Sequence, residues 1–153
     1  MTAVPRLCID TPTGPFALTE AEGAICRARW GRAEDDPTPL LKEAARQLAA
    51  YFDKRLTVFD LPMRVDASPF QQAVCSAISA IPWGETRTYG DLARDLGVTA
   101  QAVGQGCGGN PIPILIPCHR VLGASGLGGF SGAGGVETKV ALLRHEGAAG
   151  LLI

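Results

Sequence analysis

The sequence has no excess of either charge, few histidines, no CxxC pair and no long apolar run. Fourteen Lys and Arg stand against fifteen Asp and Glu, a formal net charge of −1. A broad basic face is excluded, so any binding to nucleic acid has to come from helix ends and a few arginines. The two histidines, His119 and His145, are too few for the close-set ligands of structural zinc, and no metal site or other cofactor is expected. Five scattered cysteines (Cys8, Cys26, Cys75, Cys107, Cys118) argue against a disulfide framework and for a reducing compartment. No apolar stretch approaches a membrane span. The opening "MTAVPRLCID" lacks the basic-then-apolar layout of a signal peptide. A cytoplasmic location with no membrane partner is therefore expected.

What is present is a globular composition, 46% hydrophobic and 19% charged over 153 residues, enough for one domain or two small ones. Residues 7–30 alternate short apolar runs with turn residues and predict a small antiparallel meander. In "LLKEAARQLAAYF", Leu41, Ala44, Ala45, Leu48 and Tyr51 share one helical stripe, which predicts a helix covering that sheet. The run from Asp53 to Asp66 reads as a connection, giving expected domains of 1–66 and 67–153.

The second half opens with "SPFQQAVCSAISAI". Ser68 is placed to cap a helix, Pro69 to fill its first position and Gln71 to close a capping box. Phe70, Val74, Ala77, Ile78 and Ile81 would form the apolar face. "TYGDLARDLG" predicts a short helix with Thr88 and Asp91 in capping-box spacing, stopping at Gly97, and "VTAQAVGQGCGGNP" another that Thr99 caps. Together they predict a helix-turn-helix. The prolines of "NPIPILIP" predict an extended, buried segment that delivers Cys118. "GASGLGGFSGAGG" is a glycine-rich connector without the Walker spacing, so a nucleotide P-loop is rejected. "VETKVALLRHEG" predicts a closing helix with Gly147 at its C-terminal cap.

Cys118 and His119 stand side by side after the prolines. Free cysteine is among the most buried residue types, and a lone histidine is compatible with a satisfied core position. The other reading is chemical: an imidazole beside a thiol can take its proton and hold a thiolate below the free pKa of roughly 8.5, with a carboxylate orienting the ring. Glu146 in "HEG" is one candidate for that carboxylate. Spacing alone leaves these readings open.

"NPIPILIPCHRV" resembles the active-site signature of the O6-alkylguanine-DNA alkyltransferases, the methylated-DNA–protein-cysteine methyltransferases. "SPFQQAV", "IPWGETRTYGDLA", "QAVGQGCGGNP", "GGFSG" and "LLRHEG" are similar to that family in order and spacing, and residues 7–66 more weakly so. The resemblance implies direct-reversal DNA repair. A damaged guanine is flipped out of the duplex and its O6-alkyl group moves irreversibly to Cys118, each chain acting once, with O4-alkylthymine as a further candidate substrate. It implies His119 as base through a water, Glu146 polarising it and Asn110 bracing the turn. Tyr89, Phe130, Ser131 and Pro113 are implied to contact the flipped nucleotide. Ala100, Gln101, Ala102, Gly104 and Arg120 are implied at the DNA side, although Arg120 also reads as a structural partner. The implied partner is double-stranded DNA carrying alkylated bases, bound by a monomer.

Four features depart from the family. Gln101 stands where an arginine usually fills the gap left by the flipped base, the turn "LGVTAQ" before it is shorter than is common, Gly108 occupies a further basic position, and the lid "FSGAGGVETK" inserts residues between its aromatic and the following lysine. The expected fold is α/β (α+β): a small N-terminal β-sheet domain with a covering helix, then a mainly helical, winged-helix-like C-terminal domain with a helix-turn-helix. Two rivals remain at this point. A lesion sensor would flip the base without transfer, but relatives of that type lack the cysteine. A thiol hydrolase using Cys118, His119 and Glu146 would turn over repeatedly.

Overall fold

The computed structural model describes residues 4–124, 126–127 and 135–148. The chain forms two compact units, Met1–Val65 and Asp66–Ile153. Fold class follows the sequence pattern: mixed α and β, with a small antiparallel sheet first and helices after it.

In the first unit the turn residues at 12–13 and 22–23 fold residues 6–30 into a meander. Its strands are β1 (Arg6–Thr11), β2 (Gly14–Ala21) and β3 (Ala24–Trp30), antiparallel in that order. Register pairs Ile9 with Phe16 and Leu18 with Ala28, with an irregularity at Thr19/Glu20. Helix α1 (Pro39–Phe52) is capped by Thr38, whose hydroxyl accepts from the Leu41 N–H at 3.1 Å. Phe16, Leu18, Ile25, Leu41, Leu48 and Tyr51 are fully buried. Gln47 is buried as well, and its amide satisfies both its own needs and those of Asp60: Nε2 donates to the Asp60 carbonyl at 3.0 Å, and Oε1 accepts from the Asp60 N–H at 2.9 Å.

The second unit begins with α2 (Pro69–Ser79), capped by Ser68 Oγ on the Gln71 N–H. Gln71 does not close the expected capping box. Its side chain reaches across to α4 (Ala100–Gly108) and donates to the Gly106 carbonyl at 2.8 Å. Phe70, expected on the apolar face, is 37% exposed at the first turn, while Val74 and Ile78 carry the buried face. Strand β4 (Arg87–Thr88) leads into α3 (Tyr89–Leu96). Here the predicted box is present in both directions: Asp91 N–H to Thr88 Oγ1 at 3.0 Å and Thr88 N–H to Asp91 Oδ2 at 2.9 Å. Gly97 ends α3 in the left-handed region (φ 69°), and Thr99 caps α4. These two helices form the predicted helix-turn-helix.

Close packing of α4 against α2 depends on Gly106. A Cβ there would sit 2.8 Å from Val74 Cγ2, so the smallest side chain would force a shift. After α4 come a 3₁₀ turn (Cys118–Arg120), β5 (Val121–Leu122, parallel to β4) and α5 (Val136–His145). Among the described residues no helix is long and apolar enough to cross a membrane.

Candidate active site

The segment that delivers Cys118 is buried, as its prolines and isoleucines suggest, but it is not extended. It folds into a compact turn in which Leu115 N–H donates to the Pro113 carbonyl and Ile116 N–H to the Ile112 carbonyl, both at 2.9 Å. Asn110 clamps this turn from both ends. Its Oδ1 accepts from the Ile112 N–H at 3.0 Å, and its Nδ2 donates to the Ile116 carbonyl at 2.8 Å. The Cys118 N–H shares that Ile116 carbonyl at 2.8 Å. Ile114 is held at φ 68°, a region that β-branched residues avoid, at a cost of order 1–3 kcal/mol. Rigid support on both sides explains how the strain persists.

The 3₁₀ turn then presents three consecutive side chains to the interior. Cys118 is 7% exposed, His119 is fully buried, and Arg120 is 6% exposed. Glu146, just past α5, meets the last two. His119 Nε2 lies 2.7 Å from Glu146 Oε2. Arg120 forks onto the same carboxylate, Nε to Oε1 at 2.8 Å and an Nη2–H to Oε2 at 3.0 Å, and its Nη1 donates to the Ile81 carbonyl at 2.6 Å. A carboxylate that receives both guanidinium bonds can only accept from the imidazole, so the ring proton sits on Nε2. His119 Nδ1 is buried and has no hydrogen-bond partner among the described residues.

Burial pushes the Cys118 thiol above its ordinary range, against the opposing pull of the Asn110 side chain and the Lys139 charge. That reverses the sequence expectation of a resting thiolate, because a buried anion loses more hydration than these neighbours return. Burial also lowers the His119 pKa, outweighing Glu146. The resting pair is a neutral thiol beside a neutral base.

Arg120 was expected either at the DNA side or as a structural partner. Its guanidinium is enclosed and committed to Glu146 and Ile81, which fits the structural reading and takes it away from the DNA side. Tyr89 starts α3 and is half-buried, with Lys139 Nζ 5.7 Å from its ring centroid. Pro113 is half-buried in the clamped turn. On α4, Ala100 and Gln101 are exposed, Ala102 and Gly104 half-exposed, and α4 bears no charge in its first or last turn. Phe130 and Ser131 lie outside the described residues.

Lys139 is the residue that the sequence reading missed. It is fully buried on α5, its ammonium donates to the Val121 carbonyl at 2.6 Å, and its charge is felt by both Cys118 and Cys107. Its only signal in the sequence is its place on the inward side of the closing helix, beside Leu142 and Leu143. Among the described residues no three His, Cys, Asp or Glu side chains converge to hold a metal ion.

The 6-O-methylguanine DNA methyltransferase DNA-binding-domain model matches residues 69–148, and the ribonuclease-like-domain model of the same name matches residues 7–65. A methylated-DNA–protein-cysteine methyltransferase from Mycolicibacterium paratuberculosis is 48% identical over 149 residues, covering 90% of this chain and 89% of that one. The crystal structure of the Mycobacterium tuberculosis O6-methylguanine methyltransferase superposes with a TM-score of 0.84 at 38% identity, over 99% of this chain and 97% of that one. A structure of the Mycobacterium tuberculosis OGT protein in complex with DNA gives 0.84 at 40% identity, over 94% and 93%. With both halves matched in order and the buried cysteine, histidine and glutamate assembled, the chain belongs to the 6-O-methylguanine DNA methyltransferase family.

Proposed function

We infer that this protein repairs O6-methylguanine in DNA by direct reversal, moving the methyl group onto its own Cys118. The observation that carries the assignment is a buried thiol followed in the chain by a buried imidazole whose Nε2 is committed to Glu146, with Nδ1 left as an acceptor among the described residues. The Cys118 proton passes to His119 Nδ1 through a bridging water. The resulting thiolate attacks the methyl carbon; the S–C bond forms as the C–O6 bond breaks, its electron pair leaving with the guanine. A proton from Tyr89, replenished from the His119 imidazolium, neutralises the leaving base. The product is a thioether, which has no leaving group for water to displace, so each chain acts once.

The remaining roles rest on the family resemblance. Asn110 holds the turn on which Cys118 rides, and Pro113, Tyr89, Phe130 and Ser131 are assigned to the flipped nucleotide. Ala100, Gln101, Ala102 and Gly104 face the duplex from the start of α4. Residues 67–153 carry DNA binding and transfer, with residues 1–66 as a separate domain. The protein works as a monomer in the cytoplasm on double-stranded DNA, on other O6-alkyl groups too, and on O4-alkylthymine.

Intact-mass measurement after mixing with a duplex containing O6-methylguanine tests the reading. One added methyl group per chain, mapped to Cys118 and absent from Cys118→Ala, is expected. A methyl group on Cys107, repeated turnover in excess substrate, or tight binding without transfer would overturn it.

A further inference from the structure

Arg120 has no place in the transfer chemistry just described, yet it is enclosed with the groups that perform it. Its Nε and Nη2 take both oxygens of Glu146, and Oε2 is shared with His119 Nε2. Its third bond, to the Ile81 carbonyl beyond α2, fixes the guanidinium from the opposite side. An arginine fork is planar and permanently charged, so it sets both the direction and the charge of the carboxylate it grips. If Glu146 faced His119 alone, its negative charge would be available in full to stabilise an imidazolium. With a guanidinium on the same carboxylate, most of that stabilisation is cancelled.

We propose that Arg120 is a positioning residue for the transfer: it locks the proton of His119 on Nε2 and keeps the imidazole uncharged, with Nδ1 open, until Cys118 releases its proton. This deepens the proposed function and rests on that reading for its catalytic meaning. Among the described residues, the charged and titratable groups that act on His119 and Cys118 include Glu146 and Lys139 from α5 and the residue after it, Arg120 from the 3₁₀ turn itself, Cys75 from α2 and Cys107 from α4, with Tyr89 of α3 beside Lys139. The two additional thiols are held protonated by burial, Cys107 pushed up to about 12. Arg120 and Lys139 both oppose a charge on His119, and Glu146 alone favours it. A base that stayed protonated near neutral pH could not accept the thiol proton. Removing the guanidinium therefore makes His119 a stronger base that is more often already occupied.

Two measurements test this. Nitrogen-15 NMR of the ligand-free wild-type protein, with His119 assigned by comparison with His119→Asn, should show a neutral Nε2–H tautomer at pH 7 and still at pH 6. This experiment needs no substrate and no Arg120 variant. An Nδ1–H tautomer, or an imidazolium at pH 7, would overturn the proposal. Single-turnover methyl transfer should lose rate on the acid side as His119 becomes protonated. In Arg120→Met that limb should move up by about one pH unit, whereas Arg120→Lys, which keeps the charge, should leave it near the wild-type position. A purely structural arginine would lower the rate at every pH and leave the limb in place, which sinks the proposal. If methyl groups never reach Cys118 while the NMR result holds, the proposed function fails and the charge arrangement stands.

Discussion

Nε2 of His119 and Oε2 of Glu146 lie 2.7 Å apart across 27 positions of sequence, both side chains essentially without solvent contact. The same carboxylate carries Arg120. Removing its charge leaves a buried guanidinium uncompensated. Glu146→Gln should therefore cost about 3–5 kcal/mol in folding free energy, read from the urea midpoint. It should also slow methyl transfer. Full stability with slow transfer would mean that Arg120 finds another acceptor.

Acid should weaken the fold through His119. Its folded pKa is lowered from the ordinary 6.5 by burial. Below 6.5 the unfolded chain takes up a proton that the folded one refuses, so the unfolded state binds more protons and stability rises with pH there. The full contribution is present above 6.5 and is lost as pH falls toward the folded value. Urea midpoints at pH 7.5 and 5.5 should differ for this reason, and His119→Asn should flatten the difference.

Two glycines of α4 should respond in opposite ways to alanine. Gly106→Ala drives a methyl group to within 2.8 Å of Val74 and should destabilise by about 1–3 kcal/mol through overpacking. A Cβ at Gly104 meets nothing within 4 Å, so Gly104→Ala should stabilise by up to about 1 kcal/mol through helix propensity. If that open face docks on DNA, the stabler Gly104→Ala should react more slowly with duplex. Its reaction with the free base O6-benzylguanine should be unchanged.

Gln101 should be the most informative surface position. It is exposed at the start of an uncharged helix end, and flipping a base costs a few kcal/mol of unstacking that an inserted side chain can offset. Gln101→Arg should speed repair of duplex and steepen its salt dependence. Gln101→Ala should slow it, with free-base reaction nearly constant across all three. Equal duplex rates would exclude Gln101 from the gap.

Local signals were readable in the sequence wherever one residue type has one physical use. Thr88 and Asp91, Thr99, Gly97 and the strand-turn rhythm of residues 6–30 all act over a few positions, and each appears where the pattern places it. Signals that depend on distant partners were not. Gln71 has the spacing of a capping box, yet the Gly106 carbonyl on a neighbouring helix takes its amide. The prolines around Ile114 exclude a helix, but they cannot foretell that Asn110 will fold the segment back on itself. Arg120 reads equally as a DNA-side cation or a structural partner until Glu146 is seen against it, and Lys139 carries no signal of its own until α5 is placed. The motif singled out Cys118; its charge state is a property of enclosure, which no short string encodes.

The enclosure of Cys118 has a consequence for the waiting molecule. A reagent that can be spent only once must survive intact until its lesion arrives. Peroxides and electrophilic metabolites attack the thiolate and hardly touch the thiol, and access limits them further. At 7% exposure and with its pKa pushed up by burial, Cys118 offers such oxidants little surface and little anion. The same walls that make the thiol a poor nucleophile at rest should slow its loss to such oxidants, leaving more of the stock of molecules for damaged DNA.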